Sequence, residues 1–192
     1  MEKSVEKGME PNQSLELIAA MIYQAKGNFK HNAIHFLLWG WVVLIGNVGM
    51  YFLIQQGVKA PYMIWLITLP AAALSAYFGY RQGKQSRVRT HLDTIYMWLW
   101  ISYGMVIFTL LFFGHTINYQ INPVILLFSS VPTFISGITI RFKPLVIGGI
   151  LFWISSIICF SLSLEIQLLL SAFAIICGYL IPGYLLRAKK DN

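Results

Sequence analysis

Nine of the neutral polar side chains inside the long apolar runs are the groups with chemistry to offer. Asn47 falls near the middle of one run. "SSVPTFIS" places Ser129, Ser130, Thr133 and Ser136 around Pro132 in another. Ser102, Tyr103, Ser155 and Ser156 are spread over two more. Amides and hydroxyls of this kind donate and accept hydrogen bonds but carry no charge. Proline withholds a backbone N–H and frees a carbonyl one turn back. Two arrangements answer to that pattern. One is a broken helix whose Asn47, Ser102, Tyr103, Ser129, Ser130, Pro132, Thr133, Ser136, Ser155 and Ser156 line a polar cavity. The other is a kinked helix whose hydroxyls bond backbone carbonyls.

The titratable groups point away from catalysis. His91 and Asp93 fall at one mouth of a run, and His115 and Glu165 fall between runs. No His/Glu/Asp set has the spacing of a metal site. No base inside a run suggests itself for serine chemistry. The two cysteines, Cys159 and Cys177, sit within apolar runs and read as packing residues. The expectation is therefore a protein with no catalytic residue, no metal and no cofactor.

These residues need elements to hold them. The chain has 192 residues, 57% hydrophobic and 11% charged. Soluble domains carry about 25% charged residues. The apolar residues cluster in runs near 20, the length that crosses a hydrocarbon core of about 30 Å as a helix. The predicted class is an all-α polytopic membrane protein. Six spans are expected, at 33–55, 62–80, 94–113, 121–140, 145–163 and 167–186. They occupy a domain over 33–186, after an N-terminal segment 1–32 and before a basic tail 187–192.

Charge orients the spans. Of the 14 Lys and Arg residues, only Lys59 falls on one side. Lys3, Lys7, Lys26, Lys30, Arg81, Lys84, Arg87, Arg89, Arg141, Lys143, Arg187, Lys189 and Lys190 fall on the other. Short cytoplasmic loops retain such residues, so both termini are expected in the cytoplasm. The net charge of +7 then reads as topology and not as nucleic-acid binding. Arg81, Lys84, Arg87, Arg89, Arg141, Lys143, Arg187, Lys189 and Lys190 are expected to meet anionic lipid head groups. The first run is too long and begins too late for a cleaved signal, so a bacterial inner membrane is expected.

Leu15, Ile18, Ala19, Ile22, Ala25 and Phe29 recur at helical spacing. An amphipathic helix over about 13–30 follows, lying at the interface or docking a protein partner. Trp41, Trp100 and Trp153 precede prolines 70, 132 and 182 by 29, 32 and 29 residues. The spacing admits three helical hairpins in a pseudo-threefold arrangement. The preference of Trp for the interface explains the same positions without a repeat. Ser75, Gly79 and Gly83, Ala72 and Ala76, and Ala174 and Gly178 are small residues four apart. They serve close packing within the bundle or in a homo-oligomer.

"FLLWGWVVLIGN", "YRQGKQSRVRT", "INYQINPVILLF", "RFKPLVIGGILFW" and "GYLIPGYLL" together resemble a family of small six-span bacterial inner-membrane proteins without an assigned function. That resemblance implies a helical inner-membrane fold and no activity to carry over. In size and span count the chain is also similar in outline to acid-stress membrane proteins built from repeated hairpins. The function expected is a non-enzymatic structural, regulatory or partner-binding role. The alternative is a transporter or channel for a small neutral or lipophilic solute.

Overall fold

The computed structural model describes the backbone of residues 11–85 and 91–188. It describes side chains from Ala33 on, apart from residues 82, 83, 85, 91–93 and 96. The elements are helix α1 (Pro11–Gln55), a 3-10 segment (Pro61–Ile67), α2 (Thr68–Gln85), α3 (His91–Phe112), α4 (Ile121–Thr139), α5 (Lys143–Cys159), α6 (Leu164–Ile175), a π segment (Ile176–Leu180) and α7 (Ile181–Ala188). Four stretches are long and apolar enough to cross a membrane: Ala33–Gln55, Pro61–Arg81, Ile121–Thr139 and Leu164–Ala188. Met97–Phe112 and Lys143–Cys159 are shorter apolar helices.

The expected N-terminal helix and the first span are one uninterrupted element. At 1.5 Å per residue its 45 residues extend about 67 Å. The apolar face expected over 13–30 lies outside the described side chains, as do Lys26 and Lys30. Lys3 and Lys7 lie outside the described residues altogether.

Two helix ends close in the same way. After α1, the Gly57 N–H bonds the Ile54 carbonyl and the Val58 N–H bonds that of Leu53, with Gly57 at φ +68°. This is the paired-bond cap that favours a left-handed residue. After α4 the Arg141 N–H bonds Ile138 and the Phe142 N–H bonds Gly137. There Arg141 takes the left-handed place at φ 52°, where glycine carries no steric cost.

The expected span 62–80 opens as a 3-10 turn for a packing reason. Gly46 and Gly49 leave a channel on α1. Trp65 fills it at Gly46 and Ile64 at Gly49, at 2.9 and 3.1 Å from where a Cβ would sit. The Trp65 indole N–H reaches the Met50 sulfur at 3.3 Å. Pro70 then falls in the first turn of α2, where a missing N–H breaks nothing.

Neighbours run α2–α1–α6–α5–α4–α3, with α1 also against the π segment and α7. Consecutive helices pack as α1 on α2, α3 on α4, and α5 on α6. Between those pairs, α4 meets α5 and α6 meets α1. The α2–α3 contact that would complete a threefold pattern does not form among the described residues. The three prolines also differ in setting. Pro70 follows the 3-10 turn, Pro132 lies inside an unbroken α-helix, and Pro182 follows the π segment. Trp41 and Trp153 are exposed, whereas Trp100 is half-buried in the centre.

Glycines set the closest approaches. A Cβ on Gly148 would strike the Gly178 carbonyl oxygen, and one on Gly149 would lie 2.7 Å from the Phe134 nitrogen. A Cβ on Gly137 would likewise meet the backbone of Val146. Ala174 is fully buried and Gly178 sits on Gly148, so this small-residue pair packs within the bundle. Gly79 has nothing within 4 Å, and Ala72 and Ala76 are exposed. Gly83 lies outside the described side chains. Gly148→Ala should therefore destabilise the protein by about 1–3 kcal/mol through overpacking. Gly79→Ala should leave it unchanged or raise it by up to about 1 kcal/mol. Thermal unfolding of both variants in one detergent checks the contrast.

Candidate functional site

The polar residues inside the bundle fall into three groups at different places. The first is the run around Pro132. Ser129, Ser130, Thr133 and Ser136 are all buried on α4. Ser129 donates to the Ile125 carbonyl at 2.7 Å, Ser130 to Leu127 at 2.6 Å and Thr133 to Ser129 at 2.7 Å. Tyr103 on α3 lies 2.6 Å from the Ser129 hydroxyl. With the Ser129 proton already on Ile125, Tyr103 is the donor. The helix is unbroken at Pro132, and these three hydroxyls are occupied by their own backbone. Ser136 Oγ has no partner and no exposure.

The second group ties the ends of α4, α5 and α6 that lie near the 160–163 turn. The Gln167 amide donates to Gln120 Oε1 and to the Leu162 carbonyl, both at 2.9 Å. Asn122 donates to Ser171 at 3.0 Å, and Ser156 donates to the Pro123 carbonyl at 2.9 Å. The Cys159 sulfur lies 4.0 Å from the Ser171 hydroxyl. Cys159 and Cys177 are both free thiols. Asn122, beside the turn before α4, reaches across to α6. The turn itself takes Asn118 and Tyr119 at φ 51° and 56°. Gln167 and Ser171 were missed by the sequence reading. An amide inside "LEIQLLLSAF" is the signal that could have found them.

The third group corrects the expectation that no base lies within a span. His35 is two residues inside the stretch that begins at Ala33, and its Nδ1 lies 3.0 Å from the Ser75 hydroxyl. The Trp39 indole N–H donates to the same oxygen at 3.4 Å. With the imidazole proton on Nε2, Ser75 donates to Nδ1 and accepts from Trp39. His35 and Trp39 are one turn apart on α1, so a single serine on α2 is gripped by both. The expected small-residue role of Ser75 is thus a polar clamp.

Asn47 stands apart from all three. It is 1% exposed, donates to the Val43 carbonyl of its own helix at 2.9 Å, and its Oδ1 has no partner. Ser102 is exposed and bonds the Leu99 carbonyl. Ser155 is buried on α5 beside Ser156. The ten predicted residues are not brought together into one lining. An open groove of about 350 Å³ does lie on the outer face between α4 and α5, but its walls are Val131, Phe134, Ile135, Ile150 and Trp153, most of them exposed, and Ser130 is the predicted residue it touches.

The centre is closed by rings. Phe36 of α1 meets Trp100 of α3 edge-on at 6.2 Å and Tyr179 of the π segment at 5.3 Å. Phe152 of α5 stacks on Tyr179 at 5.4 Å, and Trp100 meets Tyr103 at 5.6 Å. Such pairs contribute about 0.5–1.5 kcal/mol each beyond area burial.

Of the basic residues, Arg81, Lys84, Arg141, Lys143 and Arg187 are exposed at helix ends. Arg87, Arg89, Lys189 and Lys190 lie outside the described residues. Comparison with family models, with curated proteins and with solved structures finds no match to this chain. The geometry alone carries the functional reading.

Gln167→Leu removes both amide bonds and strands Gln120. Intramembrane bonds contribute about 0.6 kcal/mol on average and up to about 1.7. The variant should lose about 1–2 kcal/mol in a denaturation series. Ser102→Ala, exposed and bonded within its own helix, should match the parent.

Proposed function

We propose that this chain is a six-span inner-membrane protein that works by binding rather than by chemistry, as a structural or regulatory component. The carrying observation is the packed centre. Phe36, Trp100, Phe152 and Tyr179 join α1, α3, α5 and the π segment ring to ring, and the hydroxyls beside Pro132 bond their own helix. A solute path needs convergent polar groups around a cavity. The space between α4 and α5 is an outward-opening groove walled mainly by exposed apolar side chains, not such a cavity.

Six spans are supported by the neighbours of the two shorter helices. The whole of α3 is 22 residues, about 33 Å, and α5 is 17, about 25 Å. α5 is wedged at backbone contact between α4 and the helix formed by α6 and the π segment, both long enough to cross. The one-sided placement of Lys and Arg agrees with six spans and cytoplasmic termini. In this reading the basic helix ends rest on anionic head groups. The N-terminal part of α1 offers a protein partner its helical face, and a homo-oligomer remains compatible.

A second reading, transport of a small neutral or lipophilic solute, has one observation in its favour. Asn47 Oδ1 and Ser136 Oγ are buried without partners, and such groups are costly unless something bonds them.

Single cysteines in a background lacking Cys159 and Cys177 separate the readings. Thr133→Cys should resist a water-soluble maleimide in folded protein, and rapid labelling would move the balance to transport. In sealed vesicles Asn118→Cys and Lys143→Cys should label from opposite sides. Labelling from one side would end the six-span topology. Deleting residues 1–30 should abolish recovery of a partner while the bundle stays folded, and unchanged recovery would remove the docking role.

A further inference from the structure

The last two turns of α2 carry a patch that no described neighbour covers. Tyr77, Tyr80, Arg81 and Lys84 fall on one face at helical spacing, and all four are exposed, the two tyrosines by 58% and 65%. Among the described residues, α2 touches α1 and the 3-10 segment alone. The apolar stretch Pro61–Arg81 ends within this patch, so its cations lie where hydrocarbon gives way to head groups.

The lysine is placed unusually. A lysine at a membrane edge ordinarily reaches outward to water. Lys84 folds back one turn instead, with Nζ 4.8 Å from the centroid of the Tyr80 ring. A cation over that face is attracted by the ring quadrupole. The ammonium is thereby held at the level of Tyr80, beside the Arg81 guanidinium. A fork of N–H donors, a point charge and phenol hydroxyls within two turns suit the oxygens of a phosphate diester. On the apolar side of the patch, Leu74, Leu69 and Leu66 are exposed by 48%, 66% and 55%. They leave a bare helix flank for acyl chains.

We propose that this patch is a binding site for one anionic phospholipid. Arg81 and Lys84 take the phosphate, Tyr80 and Tyr77 bond at the glycerol level, and the chains lie along Leu74 to Leu66. The proposal rests on the membrane reading above. Charge complementarity selects an anionic lipid, because a zwitterionic head group brings an ammonium of its own to a site that already holds two cations. The bound lipid covers the flank of α2 that no described residue covers.

The test uses full-length protein in zwitterionic phosphatidylcholine nanodiscs, titrated with phosphatidylglycerol and read by native mass spectrometry and unfolding temperature. One retained phosphatidylglycerol and a raised unfolding temperature are expected. At about 1 kcal/mol for each cation near the surface, Arg81→Gln with Lys84→Gln should weaken retention about thirtyfold. Arg187→Gln, exposed on α7, should leave it unchanged. Equal retention by the double variant, or equal loss with Arg187→Gln, overturns the site. Soluble glycerol phosphate competing as well as the lipid would assign the site to a free phosphate and overturn the proposal too. Failure of the underlying reading shows separately, as release of the chain from membranes by alkaline carbonate.

Discussion

The approach of α5 to its two neighbours is the constraint on which the other contacts depend. Gly148 and Gly149 are adjacent, and successive residues of a helix point about 100° apart. One glycine therefore admits the π segment at Gly178, and the other admits α4 at Phe134. Without side chains there, three backbones come together at distances that alanine would not allow. Lipid tails are as apolar as the side chains, so burial alone does not drive helices together in a membrane. Close van der Waals contact does. The α4, α5 and α6 side of the bundle is built on this triple seam.

The π segment follows from the same seam. Pro182 has no N–H, so the Gly178 carbonyl loses its usual helical partner four residues on. That carbonyl is the one facing Gly148. A glycine Cα bears hydrogens able to make a weak contact to such an oxygen. The widened turn also carries Tyr179 into the centre, where Phe36 and Phe152 receive its ring. Proline, π turn, glycine and aromatic closure are thus one construction. A π turn often marks a functional place. Here its geometric work is to seat a ring between α1 and α5.

Much of this architecture could be read from the chain. Run length and the scarcity of charge gave helices of membrane length, and element limits fell within a few residues of those expected for α3, α4 and α5. The site was less legible, because composition does not say which way a polar side chain turns. Ser130 and Thr133 look like a polar lining until their protons are followed to carbonyls of the same helix. His35 was passed over because it stands only two residues inside an apolar run, where it resembles a flank. Its partner Ser75 is 40 residues away, and nothing local announces the pair. The Trp–Pro spacing, by contrast, is a true regularity of the sequence that three different local structures accommodate.

The clamp on Ser75 bears on why α2 stays with the bundle at all. α1 is the only long helix that α2 touches among the described residues, and Leu69, Leu74 and Tyr77 are left open to the lipid. At one end it is held by Trp65 and Ile64 against Gly46 and Gly49, a contact of shape. Half-way along α2 the join is of another kind, and beyond it Gly79 meets nothing. That join is polar, with His35 and Trp39 converging on one hydroxyl. That partly buried hydroxyl is held by two groups of α1 at once, which gives the join its direction. A helix fixed by packing at its start and by a hydrogen bond near its middle keeps its register against α1 while its outer flank stays free for another molecule.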